Sequence, residues 1–172
     1  MGPLLTDALC TTCGLCCDGS LFADVELAGG DEATTLEVLG LEIEDPDEGH
    51  RGLLLQPCRA LLGTRCSIYA HRPKCCRTFE CRLLRDVGRG VVGIEPAKQK
   101  IADTLSRIAR IQSLVAALSS EVERLPLKER CAEALANSQE FDADPETHRD
   151  RVELEVAMRA LERTIRDTFL GA

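Results

Sequence analysis

Cysteine is the residue type that most constrains this chain. Ten cysteines stand among 172 residues, and nine of them fall within the 72 positions from 10 to 81. Clustered thiols in a reducing compartment are typical of metal-binding or catalytic sites, whereas the same density in a small secreted domain indicates disulfides. A set of inert, buried cysteines is a third interpretation, but the density is too high for it. The sequence therefore predicts a metal-binding segment between residues 10 and 81.

The first cysteine group reads Cys10-Thr-Thr-Cys13-Gly-Leu-Cys16-Cys17. A C-x2-C turn that bends back through a small residue such as Gly14 lets two sulfurs reach one metal, so we expect a turn here. Three thiolates from one C-x2-C-x2-C run are typical of ferredoxin loops, which favours a [4Fe–4S] iron–sulfur cluster. Zinc is the alternative, because a pair of zinc sites would also use eight thiolates.

The second cysteine group has irregular spacing and lies in a basic segment. Residues 1–50 contain twelve Asp or Glu and no Lys or Arg, whereas residues 51–89 contain nine Lys or Arg against Glu80 and Asp86. Either the two segments pack together and neutralise each other, or the basic one offsets an anionic thiolate cluster. Arg72, Arg77 and Arg82 are placed for the second role. The members of this group are Cys58, Cys66, Cys75, Cys76 and Cys81.

The order of these blocks resembles the YkgJ-type CxxCxxCC family, which is described as zinc- or iron-chelating. The resemblance covers residues 10 to about 82, and flagellin lysine methylases carry a related cysteine pattern. It implies a metal-ligand set that Cys81 follows closely, while Cys75 and Cys131 fall outside it. The matching blocks are Cys10-x2-Cys13-Gly14-x-Cys16-Cys17, Pro57-Cys58, Cys66-Ser-Ile-Tyr69 and Arg72-Pro73-x2-Cys76-Arg77-x-Phe79. The implied ligands are Cys10, Cys13, Cys16, Cys17, Cys58, Cys66 and Cys76, with Cys81 added.

Several side chains near the second group are candidates for supporting the ligands. Tyr69 and Arg72 are the better candidates for hydrogen bonds to bound sulfur, because such bonds tune metal–thiolate sites. Arg77 would place donors beside Cys76 and favour its thiolate. His71 lies inside the group and is an alternative ligand, although a surface or supporting role fits it better.

The pattern beyond residue 95 changes to helix. Pro96 fits a helix start, and apolar residues follow at three- and four-residue steps from Ile101 to Val122. Asp144-Pro145 fits an N-cap followed by proline, and Gly171 fits a helix end. We expect an α+β, mostly α, fold. Its parts are an irregular, metal-stapled cysteine domain with short strands over residues 1–95 and a helical hairpin or three-helix layer over 96–172.

Composition excludes several partner classes. One Tyr, four Phe and no Trp make a base-stacking platform improbable, and a net charge of −8 argues against a phosphate-binding face. Neither a long apolar run nor a basic leader is visible, so we expect a cytoplasmic protein without nucleic-acid or membrane partners.

The sequence leaves three function classes open. The first is a metal or cluster carrier, sensor or partner-binding module. The second is a cluster-dependent methyl transferase like the methylase relatives, and the third is a structural zinc module. The near-heptad spacing of residues 101–122 also suggests a protein partner or a homodimer through the helical half.

Overall fold

The computed structural model describes residues 3–44, 51–119, 124–137 and 144–171. Of these residues 63% are helical and 8% are in strands, which confirms the mostly α fold with short strands. Their contacts divide the chain into two compact units, Gly2–Glu80 and Cys81–Ala172, here called the cysteine unit and the helical unit. None of the helices in the described ranges combines the length and apolarity that crossing a membrane requires.

The cysteine unit is built from short elements. Helix α1 (Pro3–Cys13) is followed by β1 (Asp24–Glu26), α2 (Gly30–Val38), β2 (Ile43–Glu44) and β3 (Leu53–Leu55). Then come β4 (Leu61–Leu62), β5 (Arg65–Cys66), a 3-10 turn (Tyr69–His71) and α3 (Lys74–Thr78). The frequent cysteines and Pro73 keep the elements after residue 58 short, in keeping with the irregular cysteine domain with short strands that the sequence predicts.

Strand β3 organises the sheet of this unit. It pairs antiparallel with β1 on one side and with β2 on the other, so Leu54 lies opposite both Val25 and Ile43. Leu54 is 2% exposed and belongs to a small apolar core with Leu27, Leu36, Leu41 and Ala60. Cys58, Cys66, Cys75 and Cys76 pack against this core. The apolar core and the second cysteine group are therefore one packed region.

Acidic and basic segments of the cysteine unit form ion pairs. Arg51 lies 3.6 Å from the carboxylate of Glu26, and Arg59 pairs with Glu42. These pairs join residues of the acidic segment to residues of the basic segment, as expected if the two neutralise each other. All four side chains are largely exposed, so each pair contributes little to stability.

The helical unit contains α4 (Arg82–Gly88), α5 (Ile94–Leu118), α6 (Leu127–Asn137) and α7 (Pro145–Ile165). Helix α5 begins two residues before Pro96, so the proline sits in its first turn, where no intrahelical donor is lost. Helices α5, α6 and α7 contact one another, which makes the arrangement a three-helix layer rather than a hairpin. The α5 residues Ile101, Ile108, Ile111, Leu114 and Val115 are buried in it.

Helix α7 begins and ends where the sequence predicts. The Asp144 carboxylate accepts the backbone N–H of Thr147 at 3.0 Å, and Pro145 occupies the first helical position. A π-helical turn (Arg166–Leu170) continues the helix to Gly171, which has a φ of 76°. Most of the apolar stripe of α5 is buried within the helical unit, and Val122 of that stripe lies outside the described residues. A dimer through the helical half stays a prediction.

Candidate metal centre

All ten cysteines lie in the described residues, and none of them is joined in a disulfide. Disulfides, the alternative for a secreted domain, are therefore not part of this structure. Nine thiols are exposed or half-buried, and Cys131 is buried. Cys131 is 2% exposed among the apolar residues of the helical unit, and burial raises its pKa to about 11. It therefore serves as a small core residue.

The first cysteine group begins on a helix. Cys10 and Cys13 lie in the last turn of α1, so this first C-x2-C spacing is helical. A spacing of three residues fits one face of a helix as well as a tight turn, and Leu9 of the same helix is buried in the unit. The predicted turn through Gly14 is found between Cys13 and Cys16, where the Gly14 φ of 73° ends the helix. The N–H groups of Cys17 and Asp18 both donate to the Gly14 carbonyl, at 2.8 and 3.1 Å.

Two contacts tie this group to the second one. The Thr64 hydroxyl, in the connection between β4 and β5, donates to the Thr11 carbonyl at 2.6 Å. The backbone N–H of Cys58 donates to the Cys17 carbonyl at 2.8 Å. The end of α1 is thus fixed at the β4–β5 hairpin, whose second strand carries Cys66 opposite Leu61.

Helix α3 carries the vicinal pair Cys75 and Cys76. Pro73 precedes it and gives no side-chain cap, but Glu32 of α2 supplies one from a distance. One Glu32 oxygen accepts the Lys74 N–H at 2.7 Å, and the other accepts the Ala28 N–H at 2.9 Å. A carboxylate at a helix N-terminus satisfies an otherwise unpaired donor. Sequence reasoning missed this residue, because the bond to Lys74 spans 42 positions.

The ionisation of several thiols is linked. Burial, and after it the nearby charges of Cys58 and Cys66, raise the pKa of Cys17 to about 12. The pKa of Cys58 is raised by burial and by Cys66, and Cys17 and Cys58 in turn help to raise that of Cys76. Cys58, Cys66 and Cys76 pack against one apolar core, and the Cys58 N–H donates to the Cys17 carbonyl, so these four residues from separate parts of the unit lie close together. They are here called the thiol cluster.

The Cys75 and Cys76 thiols share a hydrogen bond. The bond lowers the pKa of Cys75 to about 7 and raises that of Cys76, because Cys76 donates to the Cys75 sulfur. The family-implied ligand is thus the thiol that holds its proton more firmly in the metal-free state.

Arg72 provides positive charge at this cluster. It lowers the pKa of Cys17, although burial outweighs this effect. The Arg72 guanidinium lies 3.6 Å from the centre of the Tyr69 ring, and its Nε donates to the Tyr69 carbonyl at 3.2 Å. These contacts hold the cation in place, and its action on Cys17 agrees with the expected offsetting of thiolate charge.

The other residues that the sequence singled out have different contacts. Cys81 is the N-cap of α4, where its sulfur accepts the Leu84 N–H at 3.4 Å and burial raises its pKa. Arg82 pairs with Asp86 in the same helix at 3.5 Å. His71 and Arg77 are exposed and line an open depression of about 310 Å³, together with Asp31, Glu32, Thr35, Leu36, Ala70 and Arg72. A ligand role for Cys81 or His71 stays a prediction.

The thiols do not surround a common point in this structure. Within the described ranges, no group of three or more His, Cys, Asp or Glu side chains is arranged to hold a metal ion. The chemistry of the donor set still fits a thiophilic metal, since four neighbouring thiols come from segments whose backbones are hydrogen-bonded or packed together. Binding requires deprotonation and rotation of these side chains.

One comparison with known proteins gives a match. The model of the CxxCxxCC family, described as a "putative zinc- or iron-chelating domain", matches residues 9–103. No curated protein and no solved structure matches the chain significantly. The matched range includes every cysteine except Cys131.

Proposed function

The chain belongs to the CxxCxxCC family, and we propose that its cysteine unit binds zinc or iron through a four-thiolate site formed by Cys17, Cys58, Cys66 and Cys76. One geometric observation carries this choice of four: Cys58, Cys66 and Cys76 pack against the same apolar core, and the Cys58 N–H donates to the Cys17 carbonyl at 2.8 Å. Cys10, Cys13, Cys16 and Cys81 complete the wider ligand set implied by the family pattern.

A shared metal explains why these thiols are neighbours. Gathering four ionisable thiols in a half-buried region raises the cost of their charged forms, as the raised pKa values of Cys17, Cys58 and Cys76 show. A divalent cation removes this cost, because thiolates rather than thiols bind metal. The apolar core of the cysteine unit is small, so metal binding also stabilises its fold.

Four thiolates serve a zinc ion and a [4Fe–4S] cluster equally well. The spacing of the first group is typical of a ferredoxin loop, but Cys10 and Cys13 lie on a helix, so the structure gives the cluster no preference over zinc. The shared chemistry is therefore a tetrathiolate site, and metal analysis separates the two forms.

The accessibility of the thiols favours exchangeable metal. Each of the four proposed ligands lies in a residue that is only half-buried, so a competing ligand reaches the site without unfolding the unit. This supports a carrier, sensor or partner-binding module over a closed structural zinc site. A reducing compartment such as the cytoplasm suits this function, because only reduced thiols bind metal.

Anaerobic purification followed by zinc, iron and sulfide analysis tests the proposal. We expect about one zinc, or about four iron with equal sulfide, per chain. Cys17→Ser and Cys58→Ser should lose most of this metal, whereas Cys131→Ala should keep it, because Cys131 is a core residue of the helical unit. Metal-free wild-type protein, or serine variants that retain full metal content, would refute the site.

A further inference from the structure

Buried polar side chains are rare in the described residues. Two are found, Gln56 at 3% exposure and Thr104 at 1%. The Thr104 hydroxyl donates to the Lys100 carbonyl one helical turn back, at 2.7 Å, which is an ordinary local bond. Gln56 differs, because its side chain is not paired within a helix. Burying an amide costs free energy unless the amide is hydrogen-bonded, so the hydrogen-bond partner of the Gln56 side chain indicates the role of this residue.

The partner is the backbone of a proposed metal ligand. Gln56 Oε1 accepts the backbone N–H of Cys58 at 3.1 Å. The same N–H donates to the Cys17 carbonyl at 2.8 Å. The Cys58 N–H is thus shared between the Gln56 side-chain oxygen and the backbone carbonyl of Cys17, which is itself a proposed ligand. Between Gln56 and Cys58 stands Pro57, which has no N–H of its own to offer.

Gln56 is itself held firmly. Its backbone N–H donates to the Ala23 carbonyl at 3.0 Å, immediately before β1, and its neighbour Leu55 is the last residue of the central strand β3. The side-chain oxygen is therefore carried by the sheet rather than by a free loop. A rigid acceptor at this position fixes the direction of the Cys58 N–H, and with it the approach of Cys58 to Cys17.

We propose that Gln56 is a positioning residue of the thiol cluster, whose buried amide oxygen orients the Cys58 backbone and so sets the separation of the Cys17 and Cys58 thiols. The inference rests on the proposed function, because it assigns a role to Gln56 in metal binding. An apolar side chain of similar length would fill the same space, so packing alone does not call for an amide here.

The test compares Gln56→Met with Thr104→Val in the full-length apoprotein. Each variant removes one buried polar group and keeps the volume nearly unchanged. Affinity for Co²⁺ is measured by anaerobic titration, through the thiolate-to-cobalt charge-transfer absorption, and for Zn²⁺ by competition with a coloured chelator. Urea unfolding of the metal-free proteins is measured in parallel.

Gln56→Met should lower the affinity for both Co²⁺ and Zn²⁺ by about 10- to 100-fold, as is usual when a residue that supports a metal ligand is removed. The charge-transfer spectrum should change, while the urea midpoint of the apoprotein stays within the range of Thr104→Val. Thr104→Val should bind as wild type does.

Each other result has a definite meaning. Wild-type affinity and spectrum in Gln56→Met would overturn the positioning role and leave the proposed function standing. A variant that stays unfolded with metal present, or loses only apoprotein stability, would show that Gln56 is purely structural and overturn the role as well. Wild-type protein that binds neither Co²⁺ nor Zn²⁺ would overturn the tetrathiolate site and the inference together.

Discussion

Replacing Leu54 by alanine should make folding of the cysteine unit depend on metal. Leu54 is 2% exposed at the centre of the sheet, so the substitution removes nearly its full buried volume. Such changes cost about 2–5 kcal/mol. A core of this size supplies only about 3–5 kcal/mol by itself, whereas structural zinc contributes on the order of 10–16 kcal/mol. The metal-free variant should therefore be largely unfolded in this unit, and the metal-loaded variant should remain folded.

Hydrogen exchange followed by mass spectrometry is the suitable assay, because it reports residues 17–66 separately from the helices. Leu154→Ala is the matched control: Leu154 is fully buried in α7, and the same substitution there should reduce protection in the helical unit. The reasoning fails if metal-free Leu54→Ala keeps wild-type protection at residues 17–66. It also fails if saturating metal does not restore protection in the variant.

Three further predictions follow from the thiols and from the cap of α7. Cys76→Ser should lower metal content and solubility, whereas Cys75→Ser should leave both near wild type; equal losses would mean that the pair bridges two sites. Metal binding at pH 7.5 should release about three or more protons. Burial keeps Cys17, with a pKa of about 12, and Cys58 protonated in the apoprotein, and the hydrogen bond with Cys75, together with burial, does the same for Cys76; calorimetry in buffers of different ionisation enthalpy counts the protons, and release of fewer than two would contradict the assigned ligands. Hydrogen bonds from Thr147 lower the pKa of Asp144 below its ordinary value of 3.8. The stabilisation of α7 by this cap is therefore complete above pH 3.8 and is lost as the pH falls through the lower pKa of the folded protein. Carboxyl titration by NMR checks this, and a titration midpoint at or above 3.8 would refute the cap.

The helical unit was the more predictable part of the fold because its signals are local. Asp144 and Pro145 mark the start of α7 through a bond that spans three residues, and the apolar stripe of α5 repeats at helical spacing. Local patterns of this kind are readable from one sequence. Whether three helices or two would form the layer depended on packing, which periodicity alone does not specify.

The thiol cluster was predictable in composition and only partly in arrangement. A three-residue spacing fits both a helix and a turn, so the pattern predicted the turn through Gly14 but not the helix that carries Cys10 and Cys13. The contacts that organise the thiol cluster join residues far apart in the sequence. The Glu32 carboxylate accepts the Lys74 N–H, and the Cys17 carbonyl accepts the Cys58 N–H. Gln56 gave no signal, since a lone glutamine before proline is unremarkable until its burial is known.

The aromatic content of the chain gives the cysteine unit an optical property of its own. The protein has one tyrosine and no tryptophan, and Tyr69 lies beneath the guanidinium of Arg72 within that unit. Ultraviolet-excited emission from the unlabelled chain therefore originates almost wholly at one ring of the cysteine unit, and the helical unit, which has no Tyr or Trp, contributes almost none. Zinc, with a filled d shell, absorbs no light in the range of that emission, whereas thiolate-bound iron absorbs it strongly. Iron binding should quench the Tyr69 fluorescence by energy transfer, and zinc binding should leave its intensity unchanged.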